Sequence, residues 1–124
     1  MTPMSEPQPR RHFDLEERTE SFARDVRALV KRLPKTLANV EDMRQLVKAS
    51  GSVGANYIEA NEALSRKDFV MRIKISRKEA KESRYWLRLI DTGGDDRLAA
   101  ECQDMIREAT ELMKIFGAIL QKSE

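Results

Sequence analysis

The chain has little from which to build an ordinary catalytic centre. Its one cysteine, Cys102, has no intrachain partner, which excludes a secreted, disulfide-stapled scaffold and suits a reducing compartment. Its one histidine, His12, lies near the N-terminus, so a hydrolytic triad has no base in the body of the chain. No Glu-x-x-His pair occurs, which removes a di-iron bundle centre. Glycine-rich phosphate loops and zinc-ligand spacings are also missing. No apolar run approaches the ~18 residues of a membrane span, and the opening MTPMSEPQPRRH lacks the apolar stretch of a signal peptide. The expectation is a cytoplasmic protein with no cofactor, no metal, no catalytic residue and no membrane partner.

What is present is helix-forming and charged. With 124 residues, 40% hydrophobic and 35% charged, the chain suffices for one domain with a real core. The net charge is only +2, but it is unevenly placed: residues 66–91 hold nine Lys/Arg against four Asp/Glu, and 95–124 hold four against seven. Such an asymmetry creates a local field, although helices also carry charge simply to stay solvated.

Residues 1–12 contain three of the four prolines and no periodic apolar residues, and read as a disordered tail. The bundle domain is expected over 13–124. A first helix starts at Asp14 as N-cap, with Glu17 in the capping-box position. It places Leu15, Phe22, Val26, Leu29, Val30 and Leu33 on one face before Pro34 stops it. Asn39 reads as the cap of a second helix over 40–62, burying Met43, Leu46, Val47, Val53, Tyr57 and Ile58. Gly51 and Gly54 inside that helix cost about 1 kcal/mol each relative to Ala. A cost like that marks close approach, by a neighbouring helix or by a ligand, and helix packing is the simpler account. Gly93 and Gly94 supply the left-handed backbone of a helix end, and Asp95 or Asp96 caps a last helix with Leu98, Cys102, Met105, Ala109, Leu112, Phe116 and Leu120 on one face. No strand pattern appears. The fold expected is all-α: an antiparallel up-down-up-down four-helix bundle.

The central stretch, Ser65 to Ile90, carries three faces. Phe69, Ile73, Ser76, Ala80, Ser83, Leu87 and Ile90 form a core seam, with Ser65 as N-cap and Asp68 as the capping-box acid. Met71, Ile75, Trp86 and Leu89 form a second apolar stripe, expected to be a subunit interface. Lys74, Arg77, Lys78, Lys81, Arg84 and Arg88 form a cationic stripe about 20 Å long, comparable to several phosphates of a nucleic-acid backbone. Tyr85 and Trp86 beside it could stack on bases. Carboxylate pairs at i, i+3 occur as Glu59 with Glu62, Glu79 with Glu82, and Glu108 with Glu111. Facing pairs could hold Mg²⁺ for a phosphate reaction, but ion pairing with neighbouring lysines explains them more cheaply.

The run Ser52-Val53-Gly54-Ala55-Asn56-Tyr57-Ile58-Glu59, then Ser65-Arg66-Lys67-Asp68-Phe69, then KISRKEAKESRYWLRLI from Lys74 to Ile90, closely resembles the bundle proteins encoded by intervening sequences of bacterial large-subunit ribosomal RNA genes. The likeness covers nearly all of 13–120. It implies an antiparallel four-helix bundle assembled as a homopentamer. It also implies kinship with the accessory protein of diversity-generating retroelements, a basic pentameric barrel that binds nucleic acid. Many relatives carry Glu-Gly where this chain has Glu59-Ala60. By resemblance Asn56 and Glu59 are polar motif positions suited to capping or inter-helix hydrogen bonds.

The function expected is therefore a non-enzymatic homopentamer that binds RNA or DNA through the third helix. A helical adaptor for a protein partner is the alternative, and a Mg²⁺-dependent nucleotide hydrolase a third.

Overall fold

The computed structural model describes residues 15–123; the expected tail, His12 and the Asp14 cap lie outside them. Four helices follow in order: α1 Leu15–Val30, α2 Leu37–Asn61, α3 Arg66–Leu89 and α4 Asp96–Ser123. Helices α1 and α3 each pack against both α2 and α4, and no diagonal pair of helices comes within 8 Å between Cα atoms. This is the square cross-section of a four-helix bundle.

Cross-helix contacts run in opposite directions along each neighbouring pair, so the neighbours are antiparallel. On α2 and α3, Ser76 donates to the Val53 carbonyl at 2.9 Å and Arg72 to Asn56 Oδ1 at 3.0 Å. On α1 and α4, Arg18 meets Glu108, and Arg32, just past the end of α1, meets Glu101. On α3 and α4, Arg84 Nη1 donates to Thr110 Oγ1 at 3.2 Å and Arg66 Nε to the Ser123 carbonyl at 2.7 Å. Asn61 on α2 reaches back to Glu16 at the start of α1.

The expected seam of α3 forms the core. Ile73, Ser76, Ala80, Ser83 and Leu87 are buried, with Phe69 and Ile90 partly so. Small side chains at three of these positions let α2 and α3 approach closely. The buried hydroxyls avoid a desolvation cost by bonding backbone carbonyls: Ser76 to Val53, and Ser83 to Glu79 within its own helix. Phe22, Val26 and Leu29 of α1 and Leu112, Phe116 and Leu120 of α4 fill the rest. Ala60 is buried in that cluster too.

Helix ends depart from expectation in instructive ways. Helix α1 stops at Val30 rather than Leu33, and Leu33 is buried from the connector. Helix α2 begins at Leu37, and its cap is Thr36, whose side chain accepts from the Asn39 amide. Asn39 is not a cap. It is buried, and its Nδ2 donates to the carbonyls of Pro34 at 2.9 Å and Asp91 at 2.8 Å, while its Oδ1 accepts from the Asp91 amide at 3.0 Å. One side chain thus joins the α1–α2 and α3–α4 connectors. Ser65 caps α3 by accepting from the Asp68 amide at 3.0 Å, without a returned bond from Asp68 among the described residues. Gly93 and Gly94 have φ of 68° and 80°, the left-handed region that glycine enters at little cost. Asp95 Oδ1 then caps α4 by accepting from the amides of Arg97 and Leu98.

Gly54 explains the glycine pattern of α2. A Cβ there would lie 2.8 Å from Thr19 Oγ1 on α1, so close helix packing is the account that holds. Ile58, expected in the core, is about half exposed beside α1.

Candidate nucleic-acid interface

At about 100° per residue, the three acids of α3 (Asp68, Glu79 and Glu82) fall within about 60° of one another. That flank faces α2: Glu79 and Glu82 line a small polar groove with Gln45, Lys48 and Ser52. Lys74, Arg77, Lys81, Arg84 and Arg88 fall within about 80° on the opposite flank, centred about 150° from the acids. That flank faces α4, as the Arg84–Thr110 bond and the proximity of the Arg77 guanidinium to Gly117 show. Five cations of α3 are therefore set across the helix from its acids, while Arg72 falls on the acid flank and is taken up by Asn56 of α2.

Partnering follows the same division. Arg18 grips Glu108 through two bonds, Nε to Oε2 at 2.7 Å and Nη2 to Oε1 at 2.9 Å. Its charge is held, and the hydrogen bonding to Glu108 raises its pKa against the opposing effect of burial. Arg32 is paired with Glu101, Arg24 with Glu20, and Arg107 with Asp104. On the α4-facing flank of α3, Arg77, Lys81 and Arg88 are exposed and form no ion pair among the described residues. Lys74 is exposed as well. Arg84 is half-buried and spent on Thr110. Lys78 stands apart: the helical turn places it nearer the outer face, where it lies 3.7 Å from Glu79. Of the six cations expected as one stripe, Arg77, Lys81 and Arg88 are thus exposed without an ion pair among the described residues, Lys74 is exposed, Arg84 is partly anchored and Lys78 is paired.

The second apolar stripe divides too. Met71 and Leu89 are 53% and 47% exposed, whereas Ile75 and Trp86 are half-buried. Trp86 packs against the core and faces α2 across the polar groove. Met71 and Val70 form an apolar patch edged by Arg66, Lys67 and Lys74. A second groove, between α1 and α2, has Ala55 and Ile58 beside Glu16, Glu17 and Glu20. The sequence reading passed over it, because its parts lie about 40 residues apart in the chain.

The carboxylate pairs do not converge. Glu108 is held by Arg18, Glu79 by Lys78, and Glu59 and Glu62 are exposed. Among the described residues no group of three His, Cys, Asp or Glu side chains could hold a metal ion. Burial and the nearby Glu82 charge push the Glu79 carboxyl above its ordinary range. Cys102 is buried, and burial raises its thiol pKa, with the Glu101 charge adding to it; a thiol so placed is a poor nucleophile. Asn56, a motif position, donates to the Ser52 carbonyl and accepts from Arg72, a structural role. No described helix is long and apolar enough to cross a membrane.

The model of the 23S rRNA-intervening sequence proteins matches residues 11–118. A crystal structure of a protein of unknown function from the S23 ribosomal protein family of Bacteroides thetaiotaomicron VPI-5482 superposes with a TM-score of 0.72 at 30% identity, covering 86% of this chain and 97% of the other. A search of curated proteins finds no match.

Proposed function

Since the chain belongs to the 23S rRNA-intervening sequence protein family, whose model spans the bundle, we propose that it is a non-enzymatic, homo-oligomeric cytoplasmic bundle that binds RNA or DNA through α3. The observation that carries this reading is the exposed α4-facing flank, where Arg77, Lys81 and Arg88 are free of acidic partners among the described residues. These three, with Lys74, meet phosphates. Such contacts position a nucleic acid without reading its sequence.

Self-association, a pentamer as the resemblance implies, is supported by two surfaces of opposite charge on one chain. The Met71 patch is edged by Arg66 and Lys67, and the α1–α2 groove by Glu16, Glu17 and Glu20. A head-to-tail contact between them closes into a ring when its rotation allows. A ring repeats the basic flank and adds avidity. Leu89 is left on the nucleic-acid side, and Trp86 stays against α2.

The test is binding of RNA and DNA by the purified protein across a salt series, with molar mass read by light scattering. A variant carrying Arg77→Glu, Lys81→Glu and Arg88→Glu is measured beside it. Four phosphate contacts give a log affinity against log salt slope of about −3 on a single strand. The variant, left with Lys74, loses most of both. Equal binding by parent and variant overturns the assignment and turns attention to a protein partner for the acid-edged groove.

A further inference from the structure

Tyr85 is 55% exposed and makes no hydrogen bond among the described residues. Surface neighbours on a helix are three and four positions away; for Tyr85 these are Lys81 and Arg88 toward the basic flank, and Glu82 and Leu89 on the other side. The ring is not loose. Its centroid lies 5.0 Å from that of Trp86 in an edge-on arrangement at 72°, and Trp86 is itself packed against the core. A large apolar ring is therefore braced from behind by a seated tryptophan and held in water with cations along one side.

We infer that this part of α3 is a single-strand-selective site, in which the Tyr85 ring stacks on an unpaired base while Lys81 and Arg88 hold the phosphates on either side. The inference rests on the proposed nucleic-acid function and narrows it to one substrate class. Base faces inside a duplex are already stacked on their neighbours, so an exposed ring on a helix surface meets only sugar and phosphate there. A single strand offers a free face, and stacking on it is tolerant of sequence because every base has one. Bracing by Trp86 lowers the ordering cost of binding, since the ring already occupies a defined position. Arg77, about 12 Å before Tyr85 along the helix axis, extends the phosphate track in one direction. Leu89, exposed beside the ring, gives the edge of a stacked base an apolar neighbour.

The experiment measures fluorescence anisotropy of labelled oligo-U, oligo-dT and a mixed-sequence duplex of equal length at physiological salt. The proteins are the parent, Tyr85→Leu, Tyr85→Phe and the triple charge variant, with unchanged thermal melts confirming folding. The parent is expected to prefer single strands. Tyr85→Leu weakens single-strand binding about ten- to a hundredfold, leaves duplex binding and the salt slope as they are, and Tyr85→Phe restores the preference. The two single-strand arms show whether the ribose hydroxyl contributes. A parent that prefers duplex, or a Tyr85→Leu variant that binds single strands as the parent does, overturns the inference. If the charge variant alone loses binding, the stacking role falls and the phosphate contacts stand; if no probe binds any of the proteins, both fall.

Discussion

Replacing the two α2 glycines by alanine, one at a time, separates helix propensity from helix contact. Each substitution gains about 1 kcal/mol from propensity, because glycine loses more backbone entropy on folding. At Gly51 the new Cβ meets only the tip of the Arg27 side chain, at 3.4 Å, and a flexible, exposed guanidinium moves aside. At Gly54 the new Cβ lies 2.8 Å from Thr19 Oγ1, 3.2 Å from Thr19 Cβ and 3.7 Å from the Thr19 carbonyl carbon. Thr19 cannot rotate away freely. It is buried, and its hydroxyl donates to the carbonyls of Leu15 at 2.9 Å and Glu16 at 3.0 Å. Relief then requires α1 to move, and overpacking of this kind costs about 1–3 kcal/mol. Gly51→Ala should therefore raise stability by up to about 1 kcal/mol, and Gly54→Ala should end level or as much as about 2 kcal/mol lower. Urea denaturation of both variants reads the difference, and Thr19→Ala in the Gly54→Ala background should recover part of the loss as a coupling between contacting residues. If Gly54→Ala stabilised as much as Gly51→Ala, the close approach of α1 and α2 would be wrong.

Two further outcomes follow from buried or half-buried polar groups. Asn39→Ala removes three hydrogen bonds to backbone groups of the two connectors and should cost about 3 kcal/mol at roughly 1 kcal/mol each; a loss under about 1 kcal/mol by urea titration would refute the clamp. Glu79 has its folded pKa raised, first by burial and then by Glu82. The folded state therefore holds that proton more tightly than the unfolded chain, and stability is lost as pH rises from the ordinary carboxylate value through the folded pKa. Glu79→Gln should be more stable than the parent at pH 7 and lose that advantage at pH 4, with an advantage that grew on acidification counting against the reasoning.

What could be seen in the sequence was whatever depends on one helix alone. The α3 seam from Ile73 to Leu87 is buried as its spacing requires, and the placing of Arg77, Lys81 and Arg88 across the helix from Glu79 and Glu82 follows from the same wheel. What could not be seen depends on a second element. Asn39 suits a cap as well as a buried clamp, and its deciding partner, Asp91, is 52 positions away; Thr36 had taken the cap. Trp86 falls on the wheel with Met71, yet α2 stands beside one and not the other. Ile58 fits a helical core period, but at the α1–α2 boundary the period does not fix how far the neighbour extends. Lys78 and Arg84 share a stripe with Lys81 by composition, and only neighbouring side chains show that each has another bond.

Helix α1 lies between two surface grooves, one shared with α2 and one with α4; the Arg18–Glu108 pair fastens it to α4, and the Arg32–Glu101 pair fastens the start of its connector there. A single connector, residues 31–36, joins it to the other described helices. An opening confined to α1 would expose Leu15, Phe22, Val26 and Leu29 while α2, α3 and α4 kept their mutual contacts. A sub-global opening of this kind costs less free energy than global unfolding. Its amide hydrogens would exchange with solvent before those of α3. Added salt, which weakens the two arginine fastenings, would hasten that exchange while leaving the small-residue seam between α2 and α3 closed.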